Sequence, residues 1–180
     1  MTMKINITYT SRLILVGDMG SGKTTTALQL LKGLKRVIWI SPMGDVIQSL
    51  HHDWRVINDV NIDISPYLKE GNAHVVIDDM DNISTPWIFW ENPSVQFLFT
   101  GARHRNMGYS VMTHRLVGIP KLAWKQAEYY IFFQTNFADD IKVIEREINP
   151  AIAPLVSKLN FNKHEKLIYD HYQHTYEVFV

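Results

Sequence analysis

Residues 17–24 read Gly-Asp-Met-Gly-Ser-Gly-Lys-Thr and fit the spacing G-x-x-x-x-G-K-[ST], a pattern that binds phosphate only when a strand precedes it and a helix follows. Both flanks comply. Arg12-Leu13-Ile14-Leu15-Val16 reads as a buried strand, and Thr25 to Leu34 as a helix with Ala27, Leu28, Leu30, Leu31 and Leu34 on or near one face. Glycines let the backbone bend and approach an anion closely, while converging N–H groups and the helix dipole supply the positive field. The cradle therefore comprises Gly17, Asp18, Met19, Gly20, Ser21, Gly22, Lys23, Thr24 and Thr25. Lys23 is placed to reach the β- and γ-phosphates of ATP, and the Thr24 hydroxyl to ligate Mg²⁺.

Beyond the loop, short apolar runs alternate with helical patterns, which predicts an α/β fold around a mostly parallel sheet. Val37 to Ile40, Ala73 to Ile77, Tyr109 to Met112 and Glu128 to Gln134 read as further strands. Ser41-Pro42 opens a helical stretch towards Leu50, and residues 51–72 read as polar and irregular, with an edge strand at Trp54 to Ile57. Pro86 and Pro93 read as first-turn helix prolines, with Thr85 and Asn92 as N-caps. Val95, Leu98, Phe99 and Ala102 keep helical spacing up to Arg103-His104-Arg105. One helical turn fits Pro120 to Gln126. A helix over Asn136 to Asn149 carries Ile141, Ile144 and Ile148 on one face and stops at Pro150. The tail Lys166 to Val180 alternates as a β-hairpin around Tyr172-Gln173-His174 and belongs at a sheet edge. The expected architecture has about five core strands, the phosphate-loop strand flanked by an inserted strand, helices on both faces and the C-terminal hairpin, in one domain over residues 1–180.

Composition narrows the functional classes. A 46% hydrophobic content suits a globular core, and the formal net charge of zero argues against a generally basic nucleic-acid-coating surface. With no cysteine, neither a disulfide nor a thiolate metal site is expected. Met1 to Tyr9 does not read as a signal peptide, and no apolar run approaches the about 18 residues of a membrane span. His51-His52 and His171/His174 lack carboxylate or cysteine partners at metal-binding spacing and read as surface histidines.

Three further features carry chemistry. Val75-Val76-Ile77-Asp78-Asp79 puts two carboxylates at the end of an apolar strand, near the loop at the C-terminal edge of a parallel sheet. Asp78 is placed to hold Mg²⁺ and Asp79 to orient or deprotonate the attacking water. Asp81 reads as a cap. Thr113 and His114 are polar residues at the tip of the fourth predicted strand, where a γ-phosphate sensor stands in NTPases with an inserted strand. Arg103-His104-Arg105 fits two readings, an arginine finger for a neighbouring subunit's site or cations favoured at a helix C-terminus.

Taken together, Gly17 to Thr24, Ile77-Asp78-Asp79, Gly101-Ala102-Arg103-His104-Arg105-Asn106-Met107-Gly108 and Val111-Met112-Thr113-His114-Arg115 resemble the FtsK/HerA superfamily of DNA-pumping P-loop ATPases. The size and minimal decoration are most similar to the genome-packaging ATPases of membrane-containing icosahedral viruses, over residues 10–135 and more loosely the hairpin. The resemblance implies ATP and Mg²⁺ as ligands, Lys23 and Thr24 as the Walker A pair, and Asp78 and Asp79 as the Walker B acids. It implies Arg103 as the trans-acting arginine with Arg105 its competitor, and His114 where the family has glutamine. It also implies double-stranded DNA as partner, a homo-oligomeric ring (a hexamer when active), a capsid or membrane protein at the virion vertex as docking site, and location in the host cytoplasm or virion rather than secretion. Arg115, Lys121 and Lys125 around Trp124 are the candidate DNA contacts. Three other functions compete: a filamentous-phage-type assembly ATPase, a small nucleoside or nucleotide kinase using the arginine segment as a lid in cis, and a nucleotide-dependent adaptor that barely hydrolyses ATP.

Overall fold

The apolar runs pair into an eight-stranded sheet of order β3-β2-β4-β5-β1-β6-β7-β8. Its strands are β1 (Arg12–Val16), β2 (Val37–Ile40), β3 (Arg55–Ile57), β4 (Ala73–Asp78), β5 (Met107–Thr113), β6 (Tyr129–Phe133), β7 (Lys166–Asp170) and β8 (Thr175–Phe179). The computed structural model describes residues 5–41, 47–48, 51–59, 63–78 and 86–180. The first six strands in chain order run parallel to their neighbours, and β7 and β8 add an antiparallel hairpin to the β6 side. β5 lies between β1 and β4, which is the inserted strand the sequence predicts.

Every residue of β1, β2, β4 and β5 is buried, as expected of parallel strands covered on both faces. Alternation sorts their side chains. Ile14, Val16, Ile38, Ile40, Val75, Ile77 and Val111 join one core cluster, and Leu13, Leu15, Trp39, Val76 and Met112 join the other. Helix α1 (Lys23–Leu31) covers the second face through Ala27 and Leu31. The first face takes α2 (Ser65–Glu70), α3 (Pro86–Glu91), α4 (Pro93–Thr100), α5 (Lys121–Lys125), α6 (Ala138–Val143), which continues as a π turn over Ile144–Ile148, and α7 (Ala153–Val156). Val95, Leu98, Phe99 and Ala102 are all buried there, as their spacing predicts.

Some elements differ from the sequence reading. α1 ends at Leu31 rather than Leu34: Gly33 follows, and Leu34 N–H turns back to the Leu31 carbonyl at 2.8 Å. The stretch read as irregular contains α2, which buries only Leu68 and is too short to show an apolar period. The α-helix from Pro93 stops at Thr100, and Arg103 to Arg105 lie in a following 3₁₀ turn, Ala102–Arg105. The helix expected from Ser41-Pro42 to Leu50 and the Thr85 cap lie outside the described residues, Ser41 and residues 47–48 excepted. The Asn92 cap is present, its side chain accepting from Ser94 N–H.

His74 stands fully buried in β4, with Nε2 2.8 Å from Ser110 Oγ. Burial pushes its pKa from 6.5 down to about 4, so the folded chain keeps it neutral where an unfolded chain protonates it. Between those two values the unfolded state binds more protons, so acid destabilises the fold, by about 3 kcal/mol once pH has fallen through the lower value. Chemical denaturation at a series of pH values should show that loss in the native chain and a smaller one in His74→Gln.

Candidate active site

The loop leaves β1 at Val16 and is tied to the tip of β5 by Gly17 N–H, which donates to the Thr113 carbonyl at 3.2 Å. Gly17 has no room for a side chain, since a Cβ there would lie 2.5 Å from Phe133 Cβ. Gly22, at φ 101°, takes the left-handed conformation that delivers the chain into α1. It is also the helix N-cap, so no side chain caps the first-turn N–H groups, and the first turn holds no acidic residue. This is the arrangement an anion completes. Ser21 is buried, and its hydroxyl has no hydrogen-bond partner among the described residues.

Lys23 is 7% exposed and folds back over the loop, its Nζ donating to the carbonyls of Gly17 at 2.7 Å and Asp18 at 3.1 Å. Its ammonium is thereby held at the rim of a cavity of about 560 Å³. Gly20 to Thr26 and Gln29 form one side of that cavity, and Lys163, His164, Lys166 and Val180 the other. Thr24 and Thr25 line it, while Met19 is exposed and is not part of the lining. The wall from the C-terminal region was not foreseen; its one sequence signal is the cationic cluster at the head of the hairpin.

Asp78 ends β4 level with Met112 of β5, which is itself level with Leu15 of β1. Two strand spacings therefore separate it from β1, about 10 Å. Its buried carboxylate accepts long bonds, 3.4 Å each, from Trp39 Nε1 and Ser41 Oγ. An oxygen at this edge, together with the Thr24 hydroxyl beside the loop, suits a hard cation such as Mg²⁺. Asp79 and Asp81 lie outside the described residues. Thr113 occupies the β5 tip as expected, with its hydroxyl donating to the Arg115 carbonyl at 2.8 Å and accepting from Arg115 N–H at 3.1 Å. His114 follows it, half-buried.

Arg103 and Arg105 are at the other end of β5. The strand runs from Met107 to Thr113 between them and the loop, about 20 Å at the usual rise. An arginine side chain cannot span that distance, so the segment cannot serve as a lid over the chain's own phosphate site. Arg105 is engaged locally, its guanidinium 5.6 Å from the Phe97 ring centre and Nη1 3.4 Å from the carbonyls of Leu68 and Lys69. Arg103 is exposed, and its side chain makes no hydrogen bond or ion pair among the described residues.

The candidate DNA contacts have partners within the chain. Arg115 Nε donates at 2.9 Å to the fully buried Asp140 and stacks 4.1 Å over Phe137, an anchor the sequence reading missed. Trp124 is 6% exposed and belongs to the core, so it cannot stack on bases. Lys121 and Lys125 flank it and both pair with Glu147, at 3.1 and 3.4 Å. Among the described residues no group of three or more metal-ligating side chains occurs, and no helix is long and apolar enough to cross a membrane.

The chain matches no protein-family model, and no curated protein is similar to it in sequence. Its fold has close likenesses. The genome-packaging NTPase B204 from Sulfolobus turreted icosahedral virus 2, in complex with AMPPCP, superposes with a TM-score of 0.73 over 97% of this chain and 99% of that one, at 20% identity. B204 of Sulfolobus turreted icosahedral virus, described as a DNA-packaging ATPase, gives 0.74 at 18% identity over 94% and 97%. The N-terminal domain of zonular occludens toxin from Neisseria meningitidis is more distant, at 0.52 and 12% identity over 95% and 94%. At these identities the likeness is one of fold, and it is the P-loop NTPase fold that the sequence predicts.

Proposed function

We propose that this chain is a single-domain ATPase that drives double-stranded DNA into a preformed viral capsid, working as a ring whose active sites are shared between adjacent copies. The observation that carries the reading is the opposition of two features across the sheet: an anion-ready loop at the C-terminal edge of β1 and an unengaged Arg103 at the N-terminal edge of β5. A head-to-tail ring brings one copy's Arg103 edge to the next copy's loop edge. The structural likeness to packaging NTPases crystallised with ATP analogues supports nucleotide as the ligand and packaging as the task.

In this reading the loop N–H groups and Lys23 bind the β- and γ-phosphates, and Thr24 and Asp78 hold Mg²⁺. The metal, when bound, neutralises charge on the phosphate oxygens. Asp79 orients the attacking water, and His114 senses the γ-phosphate from the β5 tip. Arg103 of the neighbouring copy stabilises the charge that builds on the transferring group. Because β5 links the Arg103 turn to the Thr113–His114 tip in one rigid strand, a change at one copy's γ-phosphate can be passed to the next. Successive rigid-body steps then move DNA through the ring. The ring is hexameric when active and docks on a capsid or membrane protein at the virion vertex, in the host cytoplasm or the virion.

Steady-state ATP hydrolysis measured across a titration of double-stranded DNA tests the reading. A severalfold rise in rate that saturates with DNA is expected. A rate indifferent to DNA contradicts the packaging role and turns attention to a phosphoryl acceptor.

A further inference from the structure

The wall facing the phosphate loop comes from the segment between α7 and β7, and its chemistry is specific. A 3₁₀ turn, Phe161–Lys163, is followed by His164 in a left-handed conformation, φ 52°, which aims the chain back at the loop. His164 Nδ1 lies 3.2 Å from the Ser21 carbonyl; a carbonyl only accepts, so this ring nitrogen carries the proton and donates. The tip of the Phe161 ring stands 3.8 Å from where a Cβ on Gly20 would be. The turn is also fixed from behind. Lys166 pairs with Phe133 in the β6–β7 ladder, and Phe133 packs against Gly17, so the two walls share one rigid scaffold.

Charge shows what the cavity is built to take. Lys23, Lys163 and Lys166 all line it, and no Asp or Glu side chain is among its lining residues. The one acid of the turn, Glu165, is directed elsewhere, its carboxylate accepting from Asn160 N–H at 2.8 Å. Neither Lys163 nor Lys166 makes an ion pair among the described residues. Three lysines on the lining of one cavity, with no Asp or Glu side chain beside them, favour a multiply charged anion. Their placement divides the labour. The loop and Lys23 are placed for the terminal phosphates, and the cavity extends to Thr25, Thr26 and Gln29 of α1, which leaves room for the rest of a nucleotide.

We propose that Lys163 and Lys166 form a second, cis-acting jaw of the site, binding a nucleoside polyphosphate on its nucleoside side, at the α-phosphate and ribose. This rests on the reading of the loop as a nucleotide site. It makes nucleotide binding a property of one copy, whereas hydrolysis needs two.

Calorimetric titration of the protein with ADP tests it. In the double variant Lys163→Met, Lys166→Met the dissociation constant should rise about tenfold or more, since each lost charged contact is worth several-fold. Its melting temperature without nucleotide should match wild type, because both side chains are solvent-accessible. A dissociation constant within twofold of wild type overturns the jaw and leaves the ATPase reading standing. Failure of the wild type itself to bind ADP overturns both.

Discussion

Lys23→Ala is expected to abolish ATP turnover, lowering kcat by about 10³-fold, equivalent to about 4 kcal/mol of transition-state stabilisation. Two losses combine. The ammonium now held over the loop by the Gly17 and Asp18 carbonyls is the cation nearest the terminal phosphates. Its removal also frees those two carbonyls, which loosens the loop that presents the backbone N–H groups. The sheet does not depend on it, so circular dichroism and melting should stay close to wild type. Retention of more than a tenth of the rate would show that the phosphates bind elsewhere.

Arg103→Ala should lower kcat about as far, by about 10³-fold, the lower end of what an arginine finger supplies. ATP affinity should change by less than threefold, because the side chain is remote from its own chain's loop and meets the phosphates only in the assembled ring. Arg105→Ala should behave differently. Its guanidinium lies against Phe97 and the end of α2, so the expected cost is a modest loss of stability, about 1 kcal/mol, with a kcat within tenfold of wild type. Two arginines of one turn with opposite signatures, one kinetic and one structural, separate the trans-acting reading from the dipole reading that the sequence left equal. Reversed signatures would assign the finger to Arg105.

Particular residues show why some of this was legible in the sequence and some not. The loop, β1, β4 and the inserted β5 could be read because their signals are local: a fixed spacing of glycines, and apolar runs buried on both faces. Placement of Asp78 and Thr113 at the same sheet edge follows from parallel topology alone. Arg115 could not be read. Beside Trp124 it resembles a nucleic-acid contact, and only the fold brings the buried Asp140, 25 residues on, to within 2.9 Å of it. Trp124 likewise looks exposed among lysines, yet its carbonyl receives the Tyr130 hydroxyl and its ring lies in the core. The second wall of the cavity was hidden for the same reason. His164 is 143 residues from Ser21, and no periodicity links a hairpin's entry turn to a glycine loop. Short helices such as α2 and α7 bury too few residues to leave a pattern.

The central claim is a site completed between copies, and mixing two inactive variants tests it most directly. Lys23→Ala keeps Arg103 but lacks a working loop, and Arg103→Ala keeps the loop but lacks the finger. In an equimolar mixture, about a quarter of head-to-tail interfaces join an intact loop to an intact arginine. The account predicts that the mixture, with double-stranded DNA and ATP, recovers hydrolysis well above either variant alone. A mixture no more active than the mean of its parts, or an Arg103→Ala protein that is fully active by itself, would contradict it.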